Sequence, residues 1–170
     1  SSGTGQPVNI EIERRFLVCG AVWRKQVVDR ELLRQGYLAA DEKKVIRVRL
    51  AGDKGILTIK QTLTGMSRRE LEYTIPFRDA CFLVAEMSCG YVVEKIRYRV
   101  DYAGKFWVVD EFLKENAGLV VAEIELAREE EDFAPPPWLG REVTKEVRFS
   151  NAALSRQPFS LWPDRDTITG

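Results

Sequence analysis

The chain has 170 residues, of which 45% are hydrophobic and 31% are charged, and its 26 basic residues equal its 26 acidic residues in number. This composition indicates a single globular domain, and the zero net charge excludes a general attraction to nucleic acid or to an anionic membrane. The sequence has no histidine, which excludes Ser-His-Asp and Cys-His catalysis and histidine-ligated zinc.

Cysteine usage and hydropathy indicate the compartment. Cys19, Cys81 and Cys89 are odd in number and lack C-x-x-C spacing, which favours reduced thiols in a cytoplasmic protein. No apolar run approaches the roughly 18 residues of a membrane-spanning helix, and no signal-peptide pattern is found. We therefore expect a cytoplasmic protein with no membrane partner and no nucleic-acid partner.

Alternation of apolar and polar residues with a period of two predicts eight β-strands. The predicted strands are residues 8–18, 32–38, 45–50, 56–62, 69–76, 94–102, 106–112 and 120–127. Apolar spacing and breaker residues predict a few short helical segments between and after the strands. These are residues 21–28, 79–87, 128–133 and 150–156.

Each predicted strand carries charged side chains on one face and apolar side chains on the other. In the first strand, Glu11, Glu13 and Arg15 share one face, opposite Ile12 and Phe16. The remaining members of the charged faces are Arg47, Arg49, Lys60, Glu70, Glu72, Lys95, Arg97, Arg99, Asp110, Glu123 and Glu125. Alternation alone is equally typical of an ordinary antiparallel sheet with one wet face.

The signs of these charges segregate by strand, which favours an enclosed site over a wet surface. Acids lie on the first, fifth, seventh and eighth strands, and bases lie on the third, fourth and sixth. Like charges two residues apart on one face repel, so a confined interior requires bound counter-ions. An ionic interior is costly when it is empty and dry, whereas water, metal ions and a polyanion would stabilise it.

Strands joined mostly by short turns imply a closed sheet. The predicted fold class is α+β, mainly β: a closed eight-stranded antiparallel β-barrel, or tunnel, with a charged interior and a few covering helices. We expect residues 1–7 to form a flexible leader, residues 8–156 to form the domain, and residues 157–170 to form a weakly structured tail.

The charged faces predict phosphoryl-transfer chemistry. Carboxylates offer hard oxygen ligands suited to Mg²⁺ or Mn²⁺, and arginine and lysine offer donors for phosphate oxygens. Together they describe metal-dependent transfer from a polyphosphate, which needs neither histidine nor a covalent nucleophile. The sequence has no G-x-x-x-x-G-K-[ST] loop, which disfavours a P-loop enzyme.

The first strand resembles a known signature. Its segment Glu11-Ile12-Glu13-Arg14-Arg15 is similar to the E-x-E-x-K motif that opens CYTH proteins, the triphosphate tunnel metalloenzymes. Further landmarks follow in the family's order, and they include Arg34-Gln35-Gly36-Tyr37, Arg47-Val48-Arg49, Thr58-Ile59-Lys60, Glu94-Lys95-Ile96-Arg97, Glu123-Ile124-Glu125 and Pro136-Pro137-Trp138. The resemblance covers about residues 8–156 and is greatest to bacterial inorganic triphosphatases.

The resemblance implies roles for individual residues. It places divalent metal on Glu11, Glu13, Glu123 and Glu125, and it places phosphate on Arg47, Arg49, Lys60, Lys95 and Arg97. Glu146 and Arg148 would complete the metal and phosphate shells. The chain departs from the signature at Arg15, which stands where lysine is expected, and at Phe149, where tyrosine is common.

We therefore predict hydrolysis of inorganic tripolyphosphate to pyrophosphate and phosphate with Mg²⁺ or Mn²⁺. The predicted catalytic residues are Arg15, Lys60 and Lys95. The predicted substrate-binding residues are Arg47, Arg49, Arg97, Arg99, Glu70, Glu72 and Arg148. The predicted metal ligands are Glu11, Glu13, Asp110, Glu123, Glu125 and Glu146.

Other functions stay open at this point. Within the same class, the chain could be a nucleoside or thiamine triphosphatase or a class IV adenylate cyclase. A different class is a module that binds polyphosphate or nucleotide without turnover, because Arg15 binds phosphate but cannot act as a proton-transferring amine. The apolar outer face would be covered by helices or by a second subunit, so a homodimer is also open.

Overall fold

The computed structural model of the chain describes residues 9–64 and 67–168, with side chains from residue 12 onward. The predicted leader, residues 1–7, lies outside this range. The strands in the described residues are β1 (Asn9–Val18), β2 (Val27–Ala40), β3 (Lys44–Ala51), β4 (Lys54–Thr62), β5 (Ser67–Ile75), β6 (Val93–Tyr102), β7 (Lys105–Phe112), β8 (Val120–Leu126) and β9 (Leu139–Glu142). The α-helices there are α1 (Phe77–Met87) and α2 (Asn151–Arg156). Short 3₁₀ segments lie at Val22–Gln26, Lys114–Asn116, Val147–Phe149, Phe159–Leu161 and Arg165–Thr167.

Eight of these strands pair in a closed antiparallel ring. The order is β5, β4, β3, β2, β6, β7, β8 and β1, and β1 pairs again with β5. Where β1 meets β8, the register places Glu13 opposite Glu125 and Arg15 opposite Glu123. The predicted closed eight-stranded antiparallel sheet is confirmed. A ninth strand, β9, pairs with β1 and is absent from the sequence prediction.

The outer faces of β1, β6, β7 and β8 pack on an aromatic cluster. Phe16, Trp107 and Trp138 are buried, with ring centroids 5.8 Å apart for Phe16 and Trp107 and 5.6 Å apart for Trp107 and Trp138. Trp23, from the first 3₁₀ segment, packs edge-on against Tyr98 at 5.0 Å. The apolar strand faces therefore form a core between the ring and the segments that cover it.

The predicted helical turn at residues 128–133 is wrong, because this stretch forms turns and irregular structure. The Glu131 carboxylate accepts hydrogen bonds from the Ala127 backbone N–H at 3.0 Å and from Lys105 Nζ at 2.7 Å. A side chain that satisfies a backbone donor in this way competes with the helical ladder. The chain consequently turns here.

Helix α1 covers the outer face of β2, β3 and β4. It begins two residues before the predicted start and ends at the predicted residue. Ala80 and Val84, one turn apart, are buried in this contact. A Cβ atom at Gly55 would lie 2.3 Å from the Cβ of Ala80, so glycine allows the close approach of helix and strand. In the described ranges, neither helix has the length and apolar character needed to cross a bilayer.

The C-terminal segment fills one end of the ring. Phe149, Leu154 and Trp162 are buried together with Leu17 and Phe112. Leu17 and Phe112 follow Arg15 and Asp110 by two residues and therefore share their inward faces. The segment after residue 156 thus packs into the core and is not the weakly structured tail that the sequence predicts. The large aromatic rings of this segment bury more apolar surface than a frayed terminus could.

Replacing Trp162 with alanine is expected to lower the free energy of unfolding by about 3–5 kcal/mol, because a buried ring would leave a cavity. Urea unfolding followed by circular dichroism measures this change. Leu161→Ala is the matched control, since Leu161 is 60% exposed in the same segment and should change stability by less than about 0.5 kcal/mol. Equal small effects of both substitutions would show that the segment does not contribute to the core.

Candidate active site

Side chains of all eight ring strands and of α2 line a cavity of about 310 Å³. Its wall carries seven cationic and five anionic side chains. The cations are Arg15, Arg47, Arg49, Lys60, Arg68, Lys95 and Arg97, and the anions are Glu13, Glu70, Glu72, Glu123 and Glu125. Strand alternation directs these groups inward while their neighbours pack outward.

The acidic wall lies where β1 meets β8. The pKa of Glu13 is raised above its ordinary value, first by the Glu123 carboxylate and then by burial, while Arg15 opposes both. Burial also disfavours the Glu123 carboxylate, but Arg15 and other nearby cations outweigh it and lower the pKa of Glu123 to about 2. The two carboxylates therefore repel each other, and this repulsion is expressed in the raised pKa of Glu13.

Arg15 is held within this acidic wall. Its Nε donates a hydrogen bond to Glu123 Oε1 at 3.1 Å, and its Nη2 lies 3.5 Å from Glu13 Oε1. Burial disfavours its charge, but the carboxylates of Glu123 and Glu13 raise the pKa of Arg15 above its ordinary value. Arg15 therefore remains a fixed cation between two acids at every physiological pH.

Carboxylates of this wall could hold a divalent cation, since their oxygens are the ligands that Mg²⁺ and Mn²⁺ prefer. A cation near Glu13 and Glu123 would relieve their repulsion, and Glu125 lines the same part of the cavity. Among the residues with described side chains, no three acidic or cysteine side chains form a compact metal-binding group. The side chain of Glu11, a predicted metal ligand, lies outside the described residues.

Two arginines of β3 form the centre of the basic wall. Arg47 Nη2 donates to Thr58 Oγ1 at 3.0 Å, and the buried Nε of Arg47 has no partner in the described part of the chain. Arg49 Nε donates to Gln35 Oε1 at 2.8 Å. Burial, then Arg47 and Arg97, lower the pKa of Arg49 to about 9. The two guanidinium groups thus face the cavity with neutral partners only, within the described side chains.

Lys95 and Arg97 of β6 share one buried counter-ion. Lys95 Nζ lies 2.7 Å from Asp110 Oδ2, and Arg97 donates to both Asp110 oxygens at 2.8 Å. Burial disfavours the Asp110 carboxylate, but Arg97 and then Lys95 lower its pKa well below its ordinary value. Burial, followed by the Arg97 charge, lowers the pKa of Lys95. The sequence predicts Asp110 as a metal ligand. In the structure both carboxylate oxygens of Asp110 accept hydrogen bonds from cationic side chains, and Asp110 does not line the cavity.

The remaining wall comes from β4 and β5. Lys60 Nζ lies 3.8 Å from Glu70 Oε2, and Thr58 Oγ1 donates to Glu72 Oε1 at 3.4 Å. Both predicted substrate-binding glutamates therefore line the cavity beside a donor. Glu72 is exposed, which places it at the mouth of the cavity.

Besides Asp110, three predicted site residues are not brought to the cavity. Arg99 is half exposed and pairs with Asp101 at 3.2 Å. Glu146 pairs with Arg141 at the surface. Arg148 pairs with Asp164 at 2.9 Å, and its side chain is 39% exposed although the neighbouring Phe149 is buried. These three positions correct the predicted set of residues that meet in the site.

The cavity residues that are missing from the sequence prediction include Tyr37, Arg68 and Asn151. Arg68 precedes Glu70 by two residues and so shares its face, a signal that alternation contained. Tyr37 lies two residues after Gln35 on the inward face of β2. Neither side chain is charged, so the pattern of charged faces does not identify Tyr37. No local signal identifies Asn151, because its position depends on how the C-terminal segment packs.

A closed antiparallel ring around an ionic cavity defines a tunnel-like protein built to hold a charged ligand. The CYTH domain matches residues 9–156, and the chain therefore belongs to the CYTH domain family. This confirms the resemblance that the opening strand indicated.

Two relatives and one solved structure are similar to this chain over most of its length. The chain is 46% identical over 149 residues to an inorganic triphosphatase of Acetivibrio thermocellus, covering 88% of this chain and 95% of the relative. It is 35% identical over 149 residues to an inorganic triphosphatase of Nitrosomonas europaea, covering 85% and 96%. The crystal structure of the inorganic triphosphatase NE1496 matches with a TM-score of 0.61 and 31% identity, covering 94% of this chain and 100% of that chain.

Proposed function

We propose that the protein hydrolyses inorganic tripolyphosphate to pyrophosphate and phosphate inside the ring, with Mg²⁺ or Mn²⁺ as its cofactor. The observation that carries this proposal is the pair Arg47 and Arg49. Arg47 is buried, Arg49 is partly buried, and both line the cavity. Neither has a carboxylate within salt-bridge distance among the described side chains, and their partners are Thr58 and Gln35. Buried cations without counter-ions are costly, and a ligand with several phosphate charges would stabilise them.

The substrate assignment has a second support in the relatives. Two of them, at 46% and 35% identity, are named inorganic triphosphatases, and the chain covers nearly all of each. A linear triphosphate fits the wall because seven cationic side chains surround a cavity with few apolar lining residues. Arginine and lysine bind phosphate oxygens without needing an organic group on the ligand.

The carboxylates Glu13, Glu123 and Glu125 are the described side chains that would hold the divalent cation, and Glu11 would join them. When bound, the cation supplies charge neutralisation and water activation. Its fit rests on the carboxylate donor set. The Glu123 carboxylate and burial raise the pKa of Glu13 against the opposing effect of Arg15, and a bound cation would favour the charged form of Glu13.

The chain's own residues bind and orient the triphosphate. Arg47, Arg49 and Arg97 would bind phosphate oxygens, and Arg15, Lys60 and Lys95 would stabilise the charge that develops during transfer. In the net reaction one water adds to a terminal phosphorus, the P–O–P bond breaks, and pyrophosphate leaves as phosphate is released. Glu70 would orient Lys60, and Glu72 would orient Arg47 through the Thr58 hydroxyl.

The test is a phosphate-release assay on the purified protein with tripolyphosphate, ATP and thiamine triphosphate, each with Mg²⁺ or Mn²⁺. Tripolyphosphate is expected to be the best substrate, and excess chelator should abolish release. Arg47→Met should lower kcat/KM by about 10²–10³-fold, as expected for loss of one preorganised donor. Arg128→Met, at an exposed position outside the cavity, should match the wild type. Full activity in chelator, or a folded protein that releases no phosphate, would refute the proposal.

We also propose a cytoplasmic location. Cys19, Cys81 and Cys89 are free, and two of them are exposed, which supports a reducing compartment. Cell fractionation with an antibody against the chain tests this, and recovery in an oxidising compartment would contradict it.

A further inference from the structure

Two side-chain amides span the inner end of the cavity and connect its cations. Gln35 Oε1 accepts from Arg49 Nε at 2.8 Å, while Gln35 Nε2 donates to Asn151 Oδ1 at 3.3 Å. Asn151 Oδ1 also accepts from Lys95 Nζ at 3.0 Å. A continuous hydrogen-bonded chain therefore runs from Arg49 on β3, through β2 and α2, to Lys95 on β6. We call Gln35 and Asn151 the amide bridge.

Both members of the amide bridge are placed by packing. Gln35 is fully buried and donates a second hydrogen bond to the Tyr37 hydroxyl at 2.8 Å. Asn151 is the first residue of α2, whose start is capped by Ser150 Oγ accepting from the Ala153 N–H at 3.1 Å. The helix is anchored by Leu154, which is completely buried. The amide bridge is therefore a rigid feature of the inner end of the ring.

The amide bridge determines which donors remain for a ligand. A lysine ammonium has three N–H donors. Asp110 and Asn151 accept two of those of Lys95, at 2.7 and 3.0 Å, and Lys95 lines the cavity. One donor of Lys95 is thereby left for a ligand in the cavity. On the opposite side, Gln35 accepts from Nε of Arg49, which leaves the Nη groups for phosphate oxygens.

The amide bridge also lies among cations that repel one another. Burial, followed by Arg47 and Arg97, lowers the pKa of Arg49. Burial, followed by Arg97 and then Arg49, lowers the pKa of Lys95. Neutral amides supply acceptor oxygens to two of these cations without adding a carboxylate that would reduce the positive potential of the wall. An acid at either position would offset the charge that a polyanion needs, whereas an apolar residue would leave buried donors unpaired.

We propose that Gln35 and Asn151 are positioning residues that hold Arg49 and Lys95 in the orientation that binds phosphate oxygens, an inference that rests on the proposed function. The C-terminal segment then contributes to substrate binding, since it supplies Asn151. Neither residue transfers a proton or contacts the reacting phosphorus in this account. The role is to fix donors in advance, which reduces the cost of ordering them when the ligand binds.

The experiment compares Asn151→Ala and Gln35→Leu with a matched control, Asn116→Ala. Asn116 is a buried asparagine whose Oδ1 accepts from the Phe159 N–H at 2.9 Å, and it does not line the cavity. Tripolyphosphate binding is measured by isothermal titration calorimetry in chelator, so that no turnover occurs. kcat and KM are measured separately with Mg²⁺, and Tm is measured for every variant.

Both amide-bridge variants should raise the Kd for tripolyphosphate by about 10–100-fold, the usual effect of losing a residue that orients a binding group. The binding stoichiometry should stay near that of the wild type, because partial unfolding lowers stoichiometry and leaves the Kd of folded molecules unchanged. Asn116→Ala should lower Tm and keep the wild-type Kd.

Wild-type Kd values for both amide-bridge variants would overturn the inference. An equal rise in Kd for the Asn116→Ala control would do the same, because it would show a general effect of stability. The proposed function fails in a different way, through a wild type that does not hydrolyse tripolyphosphate with Mg²⁺ or Mn²⁺. If Asn151→Ala does not fold, Gln35→Leu tests the same bridge from β2.

Discussion

Replacing Glu13 with glutamine is expected to abolish tripolyphosphate hydrolysis, lowering kcat by about 10³-fold or more, since cation binding supplies several kcal/mol of transition-state stabilisation. The same substitution should leave the metal-free fold at least as stable as the wild type. The pKa of Glu13 is raised by the Glu123 carboxylate and by burial, so folding disfavours its charged form. Glutamine keeps the shape and removes that repulsion.

Phosphate release with Mg²⁺ and thermal unfolding in chelator measure the two effects on the same preparation. Glu130→Gln is the control, because this glutamate side chain is 76% exposed outside the cavity. It should change neither quantity. A Glu13→Gln variant that retains more than about a tenth of the wild-type rate would remove Glu13 from the metal site, by the same arithmetic of about 1.4 kcal/mol per factor of ten.

Replacing Asp110 with asparagine is expected to lower the free energy of unfolding by about 3–5 kcal/mol, because removing one partner of a buried ion pair leaves the others uncompensated. Asp110 is 2% exposed and is the counter-ion of both Lys95 and Arg97. Urea unfolding in chelator followed by circular dichroism measures the loss. Asp101→Asn is the matched control, since that pair with Arg99 is half exposed and should contribute less than about 1 kcal/mol.

The Asp110 variant also separates two roles of this carboxylate. If Asp110 serves as the counter-ion of Lys95 and Arg97, the folded Asp110→Asn variant should bind Mn²⁺ with an affinity close to that of the wild type. If Asp110 is a metal ligand, the variant should instead lose Mn²⁺ affinity with little change in stability. Calorimetric titration with Mn²⁺ below the unfolding transition therefore decides whether the metal role that the sequence predicted for Asp110 applies.

Most of the cavity wall follows from strand alternation. Arg47 and Arg49, like Glu123 and Glu125, stand two residues apart on one strand and line the same cavity. This succeeds because the alternation of side chains is a property of the extended backbone and needs no knowledge of neighbouring strands. Alternation does not give the length of the cavity, so it predicts Arg99 as a site residue although Arg99 lies beyond the wall.

The pairing of Asp110 follows from the hairpin that joins β6 and β7. Ala103 and Gly104 have positive φ angles of 48° and 76°, and such a two-residue turn fixes the register of a hairpin. That register sets Arg97 opposite Asp110. Residue type alone suggested a metal ligand for Asp110, whereas the register predicts the arginine pair that the structure contains.

The placement of Glu146, Arg148 and Asn151 could not be predicted in this way. Apolar spacing predicts the helix at residues 150–156, but it does not predict the path of the segment after β9. That path depends on the packing of Phe149, Leu154 and Trp162 at the end of the ring. Long-range packing therefore turns Asn151 inward and leaves the two charged residues with surface partners.

Ring closure through the first strand has a consequence for the order in which the site is assembled during synthesis. β1 pairs with both β5 and β8, and the acidic wall is formed by the contact of β1 with β8. The basic strands β3 and β6 emerge from the ribosome before β8 does, so the nascent chain carries its cationic wall before Glu123 can meet Glu13. During that interval Lys95 and Arg97 can already pair with Asp110 of β7, whereas Arg15 still lacks Glu123. The acidic wall is therefore the last wall that the ring strands contribute to the cavity.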